Sequence, residues 1–311
     1  MDFLILIAGV AGLWLGTELT IGGAMAIARR HQLSEFFVGL VILSIGSDLP
    51  ELAVAVDAGI KGLMGMDASG VVVGTSIGSV VAQIGFVLGL AAVISYLTLP
   101  ARFVLRHGAV LLAATVLLFI VAFDGQVSRF EGLLLVGLYA AYVLALMNGE
   151  NVPDEKPRAL AGGGFSSWLA LVAGLAVVIL SSEVTVNTVV HIAHVFDISE
   201  AIISVLIIGL GTSLPELSIS ISAIAKKRTQ LSVGNIVGSN VLDTLLPIGI
   251  AALISGVTFE RQFLFFDLPY IFVLTAIVLG FFITRPGVTR REGIVILALY
   301  VGYVVVKLLQ F

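Results

Sequence analysis

Apolar residues run along this chain in long unbroken stretches, at 3–28, 36–60, 69–95, 103–123, 130–147, 166–190, 200–225, 233–256, 263–284 and 292–309. Each is close to the ~20 residues a helix needs to cross the ~30 Å hydrocarbon core of a bilayer. The stretches are continuous and too long for the alternating ten-residue strands of a membrane barrel, so each is expected to be a helix. The fold class that follows is an all-α polytopic membrane protein with ten transmembrane helices. A composition that is 59% hydrophobic and 12% charged, with a mean hydropathy of +1.14, lies far from that of soluble domains. No cationic segment or small-residue cleavage site accompanies the first stretch, which is too long for a signal-peptide core and is counted as a span.

Polar residues interrupt this pattern at two places that copy one another. Ser44-Ile45-Gly46-Ser47-Asp48-Leu49-Pro50-Glu51 puts two acids and a proline inside the second apolar stretch, and Gly209-Leu210-Gly211-Thr212-Ser213-Leu214-Pro215-Glu216 follows 165 residues later. The match extends back to Ser34-Glu35 and Ser199-Glu200. Gly74 to Gln83 matches Gly234 to Asp243 at an offset of 160, through Gly-x-x-x-Gly-Ser in both. The chain therefore reads as two repeats, 1–148 and 166–311, joined by a Pro-, Gly- and charge-rich linker at 149–165. Five spans per repeat is an odd number, so the second repeat must cross with opposite polarity. Inverted repeats of this kind are a hallmark of secondary transporters, whose site lies at mid-membrane between the halves.

An acid in lipid is a functional hypothesis by default. Ser44, Ser47, Asp48 and Glu51 share one helical face at i, i+3, i+4 and i+7, and Thr212, Ser213 and Glu216 repeat that face. Pro50 and Pro215 lack an N–H and clash with the carbonyls of Gly46 and Gly211, so both helices should kink and expose oxygens where a cavity or ion can use them. Ser79 with Gln83, and Ser239 with Asp243, are i, i+4 pairs suited to line the same cavity. The set is all oxygen, with neither sulfur nor histidine. Hard cations such as Ca²⁺ and Na⁺ want such ligands; zinc and copper do not.

Two copies of Gly-(Ser/Thr)-(Ser/Asp)-Leu-Pro-Glu, each followed by a Gly-x-x-x-Gly-Ser helix ending in an acid or amide, resemble the α-repeats of the cation/Ca²⁺ exchanger superfamily. Its compact prokaryotic sodium/calcium exchangers are closest in pattern, and the resemblance covers essentially the whole chain. It implies eight core helices with the first and sixth as sliding gating helices. It also implies that Glu51 and Glu216 hold Ca²⁺ with Asp243 as the third acid, and that Ser47, Thr212, Ser213, Ser79 and Ser239 offer hydroxyls to Na⁺. The carbonyls of Ser44 and Gly209 fall where the family uses backbone oxygens. Two positions depart from the pattern: Ser47-Asp48 replaces the usual Thr-Ser, and Gln83 replaces the usual Asn or Asp. Asp48 adds a fourth acid. Four ionised acids around one Ca²⁺ would leave a net charge of −2 in a low-dielectric cavity, so at least one proton, on Asp48 or Asp243, is expected to stay there at neutral pH.

The function expected is antiport of Ca²⁺ against Na⁺, with proton-coupled exchange of Ca²⁺ or another divalent ion as the alternative that Asp48 opens. A site full of carboxylates crosses a water-poor occluded state only when loaded, which makes the movement an exchange. The transported ions and the bilayer are the expected partners; no enzyme activity, cofactor or nucleic acid is expected, and a monomer suffices. A channel would want a continuous wet pore, and an intramembrane hydrolase built on an Asp48–Asp243 dyad would leave the duplicated hydroxyls without a role.

Basic residues set the expected orientation in the cell membrane. With both termini outside and the linker cytoplasmic, Arg29, Arg30, Arg102, Arg106, Lys156, Arg158, Lys226, Lys227, Arg228, Arg285, Arg290 and Arg291 fall inside, against Lys61, Arg129, Arg261 and Lys307 outside. Glu18 and Glu183 are expected either to bond a neighbouring helix or to line an ion path, and Asp57 either to line the entrance or to lie at the surface. His191 and His194, with Asp197 beyond, read as interfacial, with a metal or pH-sensing role as the alternative. His31 and His107 are expected to be solvated or lipid-facing.

Overall fold

The computed structural model describes residues 2–98, 101–149, 164–195, 211, 213–284 and 287–309, nearly all of them helical. In chain order the helices are α1 (Asp2–His31), α2 (Glu35–Ser47), α3 (Leu49–Leu63), α4 (Ser69–Ile94), α5 (Ala101–Val121), α6 (Arg129–Gly149), α7 (Phe165–Val195), α8 (Leu214–Ala225), α9 (Thr229–Ser255), α10 (Phe263–Thr284) and α11 (Arg290–Leu309). Among the described residues eight helices are long and apolar enough to cross a membrane alone, and the bent pair α2/α3 makes a ninth span. Of the expected seventh span only the second part, α8, is described. Gly209, Thr212, Asp197, Ser199 and Glu200 lie outside the described residues, as do most of the linker and the His194 side chain.

Helix starts follow local chemistry. Ser128 caps α6 and Thr289 caps α11 in the same way: in each, a glutamate three residues on, Glu131 or Glu292, accepts from the cap's N–H and hydroxyl. Pro50 and Pro215 stand in the first turns of α3 and α8, where a missing N–H costs nothing. The helix therefore breaks one step earlier, at Asp48 (φ −86°, ψ 7°), and α2 and α3 meet at 46°. Ser213 (φ −93°, ψ 8°) takes the same conformation before α8.

The helices sort by burial into an inner and an outer set. Of the apolar windows of α9 and α4, 78% and 72% are buried, against 22% and 28% for α6 and α11, whose remaining faces suit lipid. Close approach at the centre depends on absent side chains, since a Cβ on Gly234 or Gly238 would run into the carbonyls of Phe36 and Leu40 on α2. A second, smaller core joins α1 and α7 to α2 and α8 through Ile21, Ala24, Leu171 and Leu175. Within that pair a Cβ on Gly23 would stand 2.5 Å from the Leu171 nitrogen, and one on Gly174 2.5 Å from the Thr20 nitrogen.

Two antiparallel backbone pairings tie distant loops. Strand β1 (Gln126–Val127) joins β2 (Val257–Thr258), and a single bridge joins Leu97 to Val288. One helix, α5, separates Leu97 from β1, so the two ties lie on opposite faces of the bundle. On the β1/β2 face Asp67 accepts from the Ser69 N–H, which holds its carboxyl below the usual carboxylate range, and from the Thr258 hydroxyl.

Candidate cation-binding site

The two breaks and the middles of α4 and α9 bring their polar side chains into one buried cluster. Asp48, Glu216 and Asp243 have no exposed surface and Glu51 has 2%. Asp48 lies within electrostatic reach of Asp243, Glu216 and Glu51, and Glu51 of Glu216 and Asp243; Glu216 faces Asp48 and Ser47. The residues come from both repeats. Ser79 of α4 and Ser213 at the start of α8 set their hydroxyls 3.2 Å apart, and the Gln83 amide donates to Asp243 Oδ2 and to Ser79 Oγ, both at 3.0 Å.

What distinguishes this cluster is how little it satisfies itself. Both oxygens of Asp48, Glu51 and Glu216, Oδ1 of Asp243, Oε1 of Gln83 and the Ser239 hydroxyl find no hydrogen-bond partner among the described residues. Buried polar atoms are nearly always paired, and an uncompensated buried carboxylate is among the costliest groups a fold can carry. Seven carboxylate oxygens in this state suit a hard cation, which takes six to eight oxygens at about 2.3–2.6 Å when it is Ca²⁺.

Ser44 and Ser47 lie on the wall rather than as free donors. The Ser44 hydroxyl donates to the Leu40 carbonyl at 2.6 Å, and its own carbonyl accepts from the Asp48 N–H at 3.0 Å and the Ser47 hydroxyl at 3.3 Å. Sequence reasoning passed over Asn235, which is wholly buried with both amide atoms unpartnered among the described residues, and Ser76, one turn from Ser79. Asn235 stands in the repeated Gly-x-x-x-Gly segment, where a polar residue in an apolar helix was the available signal.

The model of one family, described as sodium/calcium exchanger protein, matches residues 1–148 and 166–309. The chain belongs to this family. As a member it is a membrane transporter and not an enzyme, moving ions without a cofactor. It is 29% identical to the sodium/calcium exchanger MaX1 of Methanosarcina acetivorans, with 98% of each chain covered. It is 31% identical to the putative antiporter CaxA of Alkalimonas amylolytica, with 90% of each covered. Among solved structures, the sodium-calcium exchanger NCX_Mj soaked with zero Na⁺ and Ca²⁺ superposes with a TM-score of 0.83 at 26% identity, over 98% of both chains.

Residues outside the cluster fall into place around the family fold. Glu18 pairs with Lys226 at 2.7 Å, and the neighbouring Thr17 hydroxyl lies 2.9 Å from that of Ser222, so both tie α1 to the α8 end. Glu183 is exposed. Asp57 pairs with Lys61 at 2.6 Å on the surface, and His191 with Asp2 at 3.3 Å. His31 is exposed as expected. His107 corrects the expectation: it is wholly buried, 2.8 Å from the Tyr142 hydroxyl and packed on Phe36, because its face of α5 turns inward while neighbouring Arg106 and Leu105 do not.

Proposed function

We propose that the chain exchanges Ca²⁺ for Na⁺ across the cell membrane by alternating access. The observation that carries this reading is the group of buried, unpartnered carboxylate oxygens contributed by both repeats. Glu51 and Glu216 are assigned to Ca²⁺ with Asp243 and Asp48 completing the charge. Ser47, Thr212, Ser213, Ser79 and Ser239, the carbonyls of Ser44 and Gly209, and the Gln83 amide supply neutral oxygens. Loaded with one divalent or several monovalent cations, the cage sheds much of its charge and can pass an occluded state; empty, it cannot. The sodium/calcium exchangers among the relatives supply the pairing of ions.

Ten spans in two inverted five-helix repeats, 1–148 and 166–311, suit this mechanism, with both termini outside and the linker at 149–165 cytoplasmic. Support for the inversion comes from the loop ties. An offset of 160 carries Leu97 onto Val257, and 161 carries Val127 onto Val288, so the bridge on one face maps onto the ladder on the other. The capping boxes at Ser128 and Thr289 obey the same offset of 161. Movement of α1 and α7 against the remaining helices would open each side in turn. A monomer contains the whole cage.

Asp48 favours a second reading, exchange against protons, because a fourth buried acid leaves one charge more than a Ca²⁺ site of three acids needs. One experiment separates the two. In proteoliposomes, uptake of labelled Ca²⁺ is expected to require Na⁺ inside and to saturate, and Glu51→Gln and Glu216→Gln are expected to abolish it. Uptake driven by a pH gradient without Na⁺ would establish the proton reading. Uptake that needs no counter-ion would overturn both.

A further inference from the structure

Gln83 reaches the carboxylates from an irregular piece of backbone. It opens the π-helical stretch Gln83–Val87 within α4, in which the Leu88 N–H reaches back five residues to the Gln83 carbonyl. Wide turns of this kind are rare and gather at functional sites. The last helix of the chain lies directly on this one. A Cβ on Gly85 would stand 2.8 Å from Tyr300 Cβ and Cδ2, so α11 nearly touches the backbone of the bulge, and the Phe86 ring packs on the Tyr300 ring at 5.8 Å. Tyr300 is buried although α11 as a whole faces outward.

Further along the same face of α11, its register is locked. Tyr300, Tyr303 and Lys307 stand at i, i+3 and i+7. The Tyr303 hydroxyl donates to Asp267 Oδ1 at 2.7 Å and the Lys307 ammonium to Asp267 Oδ2 at 2.9 Å. Asp267 is wholly buried and closes a second π-helical stretch, Phe263–Asp267 in α10. Phe263, Phe266 and Tyr303 place their ring centres 5.5, 5.8 and 5.9 Å from the ammonium. The charge of Asp267 is thus answered within the protein, which leaves the pair nothing to offer a transported cation and makes it an anchor for the helix that carries Tyr300.

We propose that Tyr300 is a positioning residue for the cation site: anchored by the Asp267–Lys307 pair and wedged against Gly85 and Phe86, it fixes the bulge that aims Gln83 at Asp243 and Ser79. The inference rests on the proposed site, in which Gln83 belongs to the cage. Tyr300 touches no ion. It acts as groups behind a metal ligand do, whose loss weakens binding about tenfold or more.

The test is a double-mutant cycle on the full chain in proteoliposomes, reading half-saturating Ca²⁺ and maximal rate separately. Gln83→Ala and Tyr300→Ala are each expected to raise half-saturating Ca²⁺ about tenfold. The combined variant should be no worse than Gln83→Ala alone, because Tyr300 works through that amide, and Tyr300→Phe should restore the value by restoring the ring. Should Tyr300→Ala fail to assemble, Gly85→Ala perturbs the same contact from the other side and is judged by the same criteria. An unchanged half-saturation in the Tyr300 or Gly85 variant, a fall in maximal rate alone, or losses that multiply in the double variant would overturn the inference and leave the site standing. An unaffected Gln83→Ala would instead remove Gln83 from the site, and the inference with it.

Discussion

Asp48 is the fourth acid of the proposed cage, where the chain departs from the pattern the resemblance implies. It sits in the break between α2 and α3, wholly buried, both oxygens unpartnered among the described residues, facing Glu216. Cations and protons compete for the same carboxylate oxygens, so half-saturating Ca²⁺ should rise as pH falls. Asp48→Ser removes one of four competing acids and should flatten that pH profile while lowering the affinity for Ca²⁺. Transport assayed across a pH series tests this, and identical profiles for variant and wild type would remove Asp48 from the ion chemistry. The acids themselves were legible in the sequence because charge in an apolar stretch has few innocent explanations. Their neighbours were less so: the bond from Gln83 to Asp243 spans 160 residues, and the partnership of Asp267 with Lys307 spans 40. Burial of His107 was hidden because a helix end rich in arginine looks the same whether one face turns in or not.

At the scale of the element, spans and breaks were readable and bulges were not. Proline announces where a helix must bend: Pro50 stands just after the break at Asp48, and Pro215 stands in the first turn of α8 behind Ser213, which takes the same conformation. The π-helical stretches at 38–43, 83–87 and 263–267 lie within long apolar spans, and no proline marks them. Helix α7 shows how one rod touches both breaks: Leu175 fills the space a Cβ would take at Gly46, Val186 does so at Gly211, and the Ser182 hydroxyl donates to the Gly211 carbonyl at 3.4 Å. Gly46→Ala should therefore push α7 away from α2 and slow exchange several-fold or more. Leu175→Ala on the same chain should return most of the rate by vacating the space. A double variant as slow as Gly46→Ala would show that the glycine serves the backbone of the break instead.

For the whole molecule, the second core around α1 and α7 is the boundary along which the proposed movement would have to run. The pair is bonded to its surroundings by side chains such as Glu18 and Thr17, whereas loops of opposite repeats elsewhere are joined by main chain. Paired cysteines separate these two kinds of contact. Oxidising Thr17→Cys/Ser222→Cys, whose wild-type hydroxyls lie 2.9 Å apart, should arrest transport reversibly. Oxidising Gln126→Cys/Thr258→Cys across the β1/β2 ladder should not. Transport indifferent to the first cross-link would rule out movement of α1 against α8.

The ladder and the Leu97–Val288 bridge together constrain how any opening can occur. A clamshell motion that prised the repeats apart would have to tear main-chain hydrogen bonds on whichever side gaped, first at one face and then at the other. In the alternating-access reading, a cage tied by main chain at both rims would admit its ions along the flank, at α1 and α7.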